Sequence, residues 1–388
     1  MEKIKIGVIT TISKTMDWFL VPTMRHFADN GYDVTLISDM EEGFIERNSD
    51  FAKCIDFKMK RGISVKELFG CTKRLTKLFK EEKFDVIYYM TPNAAMYASR
   101  AGKKAGIKIR VYNQCGIRYV TFNGIKRKIF KLVEKITCKN STHVKSQSPK
   151  NMQFAIDEGL VKKKDISVVG IGGTIGVEID KCLCFDHDEA KRELKRKYGI
   201  PEDSFVYGYV GRINADKGTN ELIEAFKQVE QAKKDAYLMI VGMYDDQNPI
   251  TDENYDYCKS DERIVLTGNV PTSEVYRHMS VFDVMVHPTY REGFGKVIQE
   301  AMGVGIPIIT TDVPGPSEVI ENNVSGILCR VKDACDLAEK MNLLYERDDL
   351  RRAYAEAGFI RATKYFDRPV MINNILEDMN KIVAEKTN

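Results

Sequence analysis

Glu292 and Glu300 stand eight residues apart in the stretch HPTYREGFGKVIQEAMGVGIPIITTD, residues 287–312. Two carboxylates at this spacing admit two chemistries. One is a general acid and base pair flanking a glycosidic bond. The other is a pair of ionised acceptors, each holding a vicinal diol at one end of an extended ligand. Between them Gly293-Phe294-Gly295 turns into a short amphipathic helix, expected over 295–303. Backbone N–H groups from Gly293 to Lys296 can then face phosphate or sugar hydroxyls. A purely structural alternative has one glutamate capping the helix and the other solvated.

A second cluster, Gly211-Arg212-Ile213-Asn214-Ala215-Asp216-Lys217-Gly218, lies between an expected strand and an expected helix. Glycine lets the backbone approach a ligand, and a helix N-terminus offers N–H groups to an anion. Arg212 and Lys217 add two cations at the same place. Arg binds a diphosphate bidentately and Lys acts on it as a compact charge. The alternative is an ordinary turn with surface cations.

These clusters need elements that bring them together. In the first half, strands are expected over 4–9, 34–38, 85–89 and 108–112. Helices over 22–30, 65–82 and 94–105 alternate with them. The second half repeats the pattern, with strands over 204–210, 237–241, 264–266, 284–287, 306–311 and 326–329. Helices over 219–233, 273–279 and 295–303 lie between. Such alternation implies parallel sheets covered by helices on both faces. Two doubly wound halves imply a cleft with ligand at the carboxyl ends of strands. Gly170, Gly172, Gly173 and Gly176 loosen the chain over 169–179. Ile175 stands where GxGxxG needs its last glycine, so this stretch reads as a hinge. Residues 366–388 read as a final amphipathic helix that crosses back onto the first half or lies on a membrane surface.

A chain of 388 residues is long enough for two cores. No apolar run reaches the roughly 20 residues that span a bilayer. MEKIKIGVIT enters a strand pattern directly, without the features of a signal peptide. A cytoplasmic protein with reduced thiols is expected for its nine cysteines. Cys182, Cys184 and His187 offer three zinc ligands without a fourth at standard spacing, so no metal site is assigned.

The net charge of +3 conceals an asymmetry. Residues 1–185 hold 33 Lys and Arg against 20 Asp and Glu, a net of +13; the remainder is net −10. Basic clusters include Lys58-Met59-Lys60-Arg61, Lys73-Arg74, Lys103-Lys104 and Lys126-Arg127-Lys128. Anionic lipid headgroups or a pyrophosphate-bearing acceptor suit this half. No nucleic-acid motif accompanies the charge.

GRxxxxKG followed some eighty residues later by REGFGxxxxEAMxxGxPIITTD resembles family 4 retaining glycosyltransferases of the two-domain GT-B fold. The likeness runs from Met1 to about Tyr365. HPTYREGFG and residues 171–180 look most like bacterial polysaccharide and N-glycan transferases, including N-acetylgalactosaminyl and other hexosaminyl transferases. The fold implied is α/β, with two Rossmann-like doubly wound domains facing a cleft. Residues 1–170 with 367–388 would be the acceptor domain and 171–366 the donor domain.

The resemblance also implies roles. Arg212 and Lys217, after Gly211, would bind the donor diphosphate. Glu292, with Gly293, Phe294, Gly295 and Lys296, would hold the transferred sugar and its phosphate. Glu300 would hold the ribose, and Val270, in Asn269-Val270-Pro271, would pack by the base. The implied reaction moves a hexose or N-acetylhexosamine from a nucleotide sugar, expected to be UDP-linked, to a lipid-pyrophosphate-linked or glycan acceptor. It needs no cofactor or metal and sits in surface glycan synthesis at the inner face of the membrane. Two departures stand out. The loop at Thr10–Lys14 lacks paired glycines, and Asn113-Gln114-Cys115-Gly116 lacks the histidine many relatives carry. Arg118 nearby is a candidate contact for an anionic acceptor, and His287 a candidate for the donor pocket. Competing classes are an isomerase resembling UDP-N-acetylglucosamine 2-epimerase and a non-catalytic nucleotide-sugar binding subunit.

Overall fold

The computed structural model describes residues 3–59 and 65–387. Lys60 and Arg61 of the first basic cluster lie outside the described residues. The chain forms two compact units, Met1–Ile175 with Met371–Asn388 and Gly176–Val370.

The first unit is built on a parallel sheet of seven strands. They are β1 (Ile4–Ile12), β2 (Tyr32–Asp39), β3 (Lys53–Asp56), β4 (Val86–Tyr89), β5 (Ile109–Gln114), β6 (His143–Ser146) and β7 (Ile166–Val168). Their order is β3-β2-β1-β4-β5-β6-β7. The pleat of β1 sends Ile6 and Val8 to one face and Ile9 to the other. On the Ile9 side pack Leu75 and Phe79 of the helix Val65–Glu82 and Ala94 and Tyr97 of the helix Pro92–Ala105. The other face receives Met24 and Phe27 of the helix Val21–Asp29, and Leu376, Met379 and Ile382 of the last helix, Arg368–Thr387. Every residue of β4 is buried, as a strand covered on both faces requires.

Strand β1 runs three residues beyond the expected 4–9, because Thr10, Thr11 and Ile12 continue the β-branched run. A helix, Ser13–Phe19, then precedes the expected one. Its opening Ser13-Lys14-Thr15 carries no apolar periodicity that would announce it.

The second unit holds six parallel strands: β8 (Phe205–Val210), β9 (Ala236–Val241), β10 (Ile264–Gly268), β11 (Val284–His287), β12 (Ile308–Thr311) and β13 (Ile327–Cys329). The order β10-β9-β8-β11-β12-β13 is that of the dinucleotide-binding fold, in which the chain reverses direction between its first and fourth strands. The reversal falls between β8 and β11, whose carboxyl ends frame a crevice not blocked by a crossover. The first unit reverses in the same manner between β1 and β4.

Among the described residues no helix is long and apolar enough to cross a membrane.

Candidate active site

Both sequence clusters lie in the second unit, at the carboxyl ends of the two strands that flank its reversal. The Gly211–Gly218 loop leaves β8, and the Pro288–Gly295 loop leaves β11. Their backbones are packed against each other. Gly218 has φ +69°, and a Cβ there would lie 1.9 Å from the Pro288 carbonyl oxygen. Tyr290 N–H also donates to the Asp216 carbonyl at 2.9 Å. The loop after β9 joins them from the other side. Gly242 has φ +149°, and a Cβ there would lie 1.9 Å from the Gly211 carbonyl oxygen. From β12, Thr310 and Thr311 hydroxyls donate to the His287 and Thr289 carbonyls at 2.9 and 2.5 Å. The loops are thereby held by backbone contacts, leaving their charged side chains available for chemistry.

Those side chains form three cation–carboxylate pairs. Lys217 is paired with Glu292, and each is less than a quarter exposed. Arg212 donates to Asp245 at 2.6 Å, and Asn214 Nδ2 reaches the same carboxylate oxygen at 3.0 Å. Lys296 donates to Glu300 at 2.5 Å, one helical turn along. Arg291 and Asp216 add a flanking pair at 2.8 Å.

Glu292 is the most perturbed of the carboxylates. Burial pushes its carboxyl up, but the Lys217 ammonium and the His287 imidazole outweigh burial and hold it well below the usual carboxylate range. His287 is 1% exposed, with Nε2 3.7 Å from Glu292 and its ring stacked on Tyr209. Burial lowers its pKa, and Lys217 adds to that against the pull of Glu292, so the ring is neutral. A fixed anion beside a neutral imidazole can accept hydrogen bonds but holds no proton to donate. This disfavours Glu292 as a general acid.

The helix expected over 295–303 spans Lys296–Val304, with Gly295 outside it as a left-handed N-cap at φ 91°. Its first turn carries no acidic residue, and no side chain caps it. The positive end of its dipole is therefore open to an anion. Phe294 is buried edge-on against Phe366 and anchors the turn from below. Gly293 lies in the loop between Glu292 and Phe294. Val270 is half-buried just beyond the carboxyl end of β10. Arg118 lies on the 3-10 turn Arg118–Thr121 of the first unit.

The structure thus brings Gly211, Arg212, Lys217, Glu292, Gly293, Gly295, Lys296 and Glu300 to one end of one sheet. Asn214, which stands in the sequence cluster without an expected role, and Asp245, which the sequence did not single out, join them. Asp245 had a signal: it lies just past β9 in a polar turn, on the edge where doubly wound sheets place ligand residues. His187 Nε2 lies 2.7 Å from the Cys182 carbonyl oxygen. No group of three metal-ligating side chains occurs among the described residues.

Two doubly wound parallel sheets, one carrying this charged cluster at its reversal point, define an α/β protein of the ligand-binding kind. Residues 190–361 match the family described as glycosyl transferases group 1, and residues 9–148 match glycosyl transferase 4-like domains. The chain is 31% identical over 394 residues to the capsular polysaccharide biosynthesis glycosyltransferase CapM of Staphylococcus aureus, covering 99% of both chains. It is 24% identical over 391 residues to a Campylobacter jejuni N,N'-diacetylbacillosaminyl-diphospho-undecaprenol alpha-1,3-N-acetylgalactosaminyltransferase, covering 98% of this chain and 99% of that one. Anabaena HepE in complex with UDP superposes with a TM-score of 0.76 at 19% identity, over 98% of this chain and 100% of the other. The chain belongs to the group 1, family 4-like glycosyltransferases. It is an enzyme of that class with the GT-B fold.

Proposed function

We propose that this enzyme transfers a hexose or N-acetylhexosamine, with retention of anomeric configuration, from a UDP-linked donor to a lipid-linked or polysaccharide acceptor in surface glycan synthesis. The observation that carries the proposal is the set of three cation–carboxylate pairs on the loops and helix at the carboxyl ends of β8, β9 and β11. A diphosphate is the ligand that such cations and an open helix N-terminus favour together. The UDP in the HepE complex, the capsular role in the name of CapM and the diphospho-undecaprenol acceptor of the Campylobacter relative support donor and acceptor class.

On this reading Arg212 and Lys217 take the diphosphate, Glu300 the ribose hydroxyls, and Glu292 with the Gly293–Lys296 turn the transferred sugar. Val270 lies by the base. The bond between the anomeric carbon and the leaving phosphate oxygen breaks while the acceptor oxygen bonds that carbon on the same face. The acceptor proton passes to the departing oxygen. Arg212, Lys217 and the helix dipole stabilise the charge gained by the diphosphate, without a divalent metal. The basic first half, net +13, suits work at the inner, anionic face of the cell membrane.

The test incubates the protein with a panel of UDP-linked sugars, with and without a lipid-pyrophosphate acceptor. Acceptor-dependent UDP release with a new glycan mass is expected. Interconversion of the donor alone would instead mark an epimerase, and binding without turnover a non-catalytic subunit.

A further inference from the structure

The helix Gly124–Asn140 of the first unit is apolar on two opposite sides. Its inner side is ordinary: Cys138 is buried in the core, and Phe130 and Val133 pack against that core. Its outer side is not. Ile125 is 75% exposed, Ile129 46% and Leu132 58%. Positions i, i+4 and i+7 fall on one stripe of a helix, and half-buried Ile136 continues it at i+11. A solvent-facing stripe of three branched aliphatic residues is costly in water unless something covers it.

The charges around the stripe identify the cover. Lys128, Lys135 and Lys139 are exposed and flank it on one side, with Lys126 on the other. Lys128, Lys135 and Lys139 make no ion pair among the described residues. Arg127 and Lys131, turned away from the stripe, instead reach Glu158 at 3.2 and 2.8 Å. The only carboxylate of the helix, Glu134, accepts from Tyr112 and Gln114 at 3.0 and 2.6 Å on the inner side. The outer face therefore presents aliphatic side chains bordered by cations, with no acid among them. Long lysine stems let the ammonium groups stay at headgroup level while aliphatic groups go deeper. An acidic protein patch would match the cations but leave the isoleucines without an apolar partner, whereas an anionic bilayer satisfies both.

We propose that this helix lies in the surface of an anionic membrane, with Ile125, Ile129 and Leu132 in the acyl boundary and Lys126, Lys128, Lys135 and Lys139 among the headgroups. The helix follows β5, so its first turn stands at the carboxyl edge of the sheet, where doubly wound units take their ligands. Docking would bring that edge to the bilayer that holds a lipid-linked acceptor. The inference deepens the acceptor reading given above and is tested apart from it.

The experiment is co-sedimentation of the full chain with vesicles of phosphatidylcholine alone or with about one-third phosphatidylglycerol, without donor or acceptor, so that its outcome is independent of sugar transfer. Wild type is expected to bind the anionic vesicles and to be released by about 0.5 M salt. The triple variants Ile125→Ser/Ile129→Ser/Leu132→Ser and Lys128→Gln/Lys135→Gln/Lys139→Gln are each expected to bind at least about tenfold more weakly. Their thermal transitions should match wild type, because the substituted side chains are exposed. Absence of wild-type binding to anionic vesicles would overturn the proposal. So would an aliphatic triple variant that binds as wild type does, which would assign binding to charge elsewhere. Lipid-free self-association that the aliphatic variant abolishes, without vesicle binding, would make the face a contact between protein copies instead.

Discussion

Lys217 and Glu292 are ion-paired although 75 positions separate them in the chain. The pair joins the loop after β8 to the loop after β11 and sits largely out of water. Arg212, which reads in the sequence as the equal of Lys217, is 66% exposed and rests on Asp245 at 2.6 Å. The two cations should therefore fail differently. Lys217→Ala leaves a half-buried carboxylate beside a neutral imidazole and is expected to lower stability by about 1–3 kcal/mol. Arg212→Ala should leave the thermal transition near wild type. Each should lower kcat at least about a hundredfold, as expected when a donor to developing charge is removed. Lys217→Ala/Glu292→Gln should regain stability without turnover. Equal melting temperatures for Lys217→Ala and wild type would show that the pair contributes nothing to the fold.

Stability should fall on mild acidification. His287 is held neutral by burial, below its ordinary 6.5, so the unfolded chain takes up a proton first. His278 is lowered by burial in the same direction. Stability is then full above pH 6.5 and declines as pH drops below it. Glu292 adds a second loss below about pH 4.5, because its native carboxylate resists protonation longer than the unfolded one. Melting temperatures measured from pH 8 to 4 should show this decline. His287→Asn should flatten part of the slope between about pH 5 and 7. An unchanged slope in that variant would place the titration elsewhere.

Gly218 is the backbone counterpart of the Lys217–Glu292 pair. A methyl at Gly218 would overlap the Pro288 carbonyl, and the residue already sits at φ +69°. Gly218→Ala is expected to cost about 1–3 kcal/mol or more and to separate the two loops. Turnover should fall with KM for the donor raised, since the Lys217–Glu292 and Arg291–Asp216 pairs both span these two loops. Wild-type kinetics in this variant would mean that the close approach is not required by the site.

The number of cations at the site makes a prediction about metals. If Arg212, Lys217 and the helix N-terminus carry the leaving-group charge, full turnover should persist in excess EDTA. A tenfold or greater loss, restored by magnesium or manganese, would assign part of that work to a divalent ion.

Much of the fold was legible because the strands are continuous β-branched runs and the helices periodic. The helix over 65–82 is found at Val65–Glu82, with Leu75 and Phe79 in the core. Short strands toward the two ends of the first sheet were not legible. Lys53–Asp56 and His143–Ser146 carry too much charge and polarity to read as buried strands, and Ile166–Val168 is too short to show a period. At the site the residue types were legible and the pairing between loops was not. Arg212 and Glu300 read as ligand contacts; the i, i+4 spacing of Lys296 and Glu300 on one helix was a local sign of their pairing, but nothing local reveals that Asp245 holds Arg212. Partners from different strands meet only through the sheet order. The helix Gly124–Asn140, and with it the outward stripe of Ile125, Ile129 and Leu132, was not expected from the sequence: apolar residues on two opposite sides do not mark a single inward face.

The last helix returns to the first unit and places Leu376, Met379 and Ile382 against Ile6, Val8 and Phe27. On a ribosome those core positions stay vacant until the second unit has been made and the helix that follows it has emerged. The nascent first unit must hold one sheet face partly bare while the second is synthesised. Termination before Leu376 would therefore damage the first unit rather than the second, which stands beside that helix in sequence.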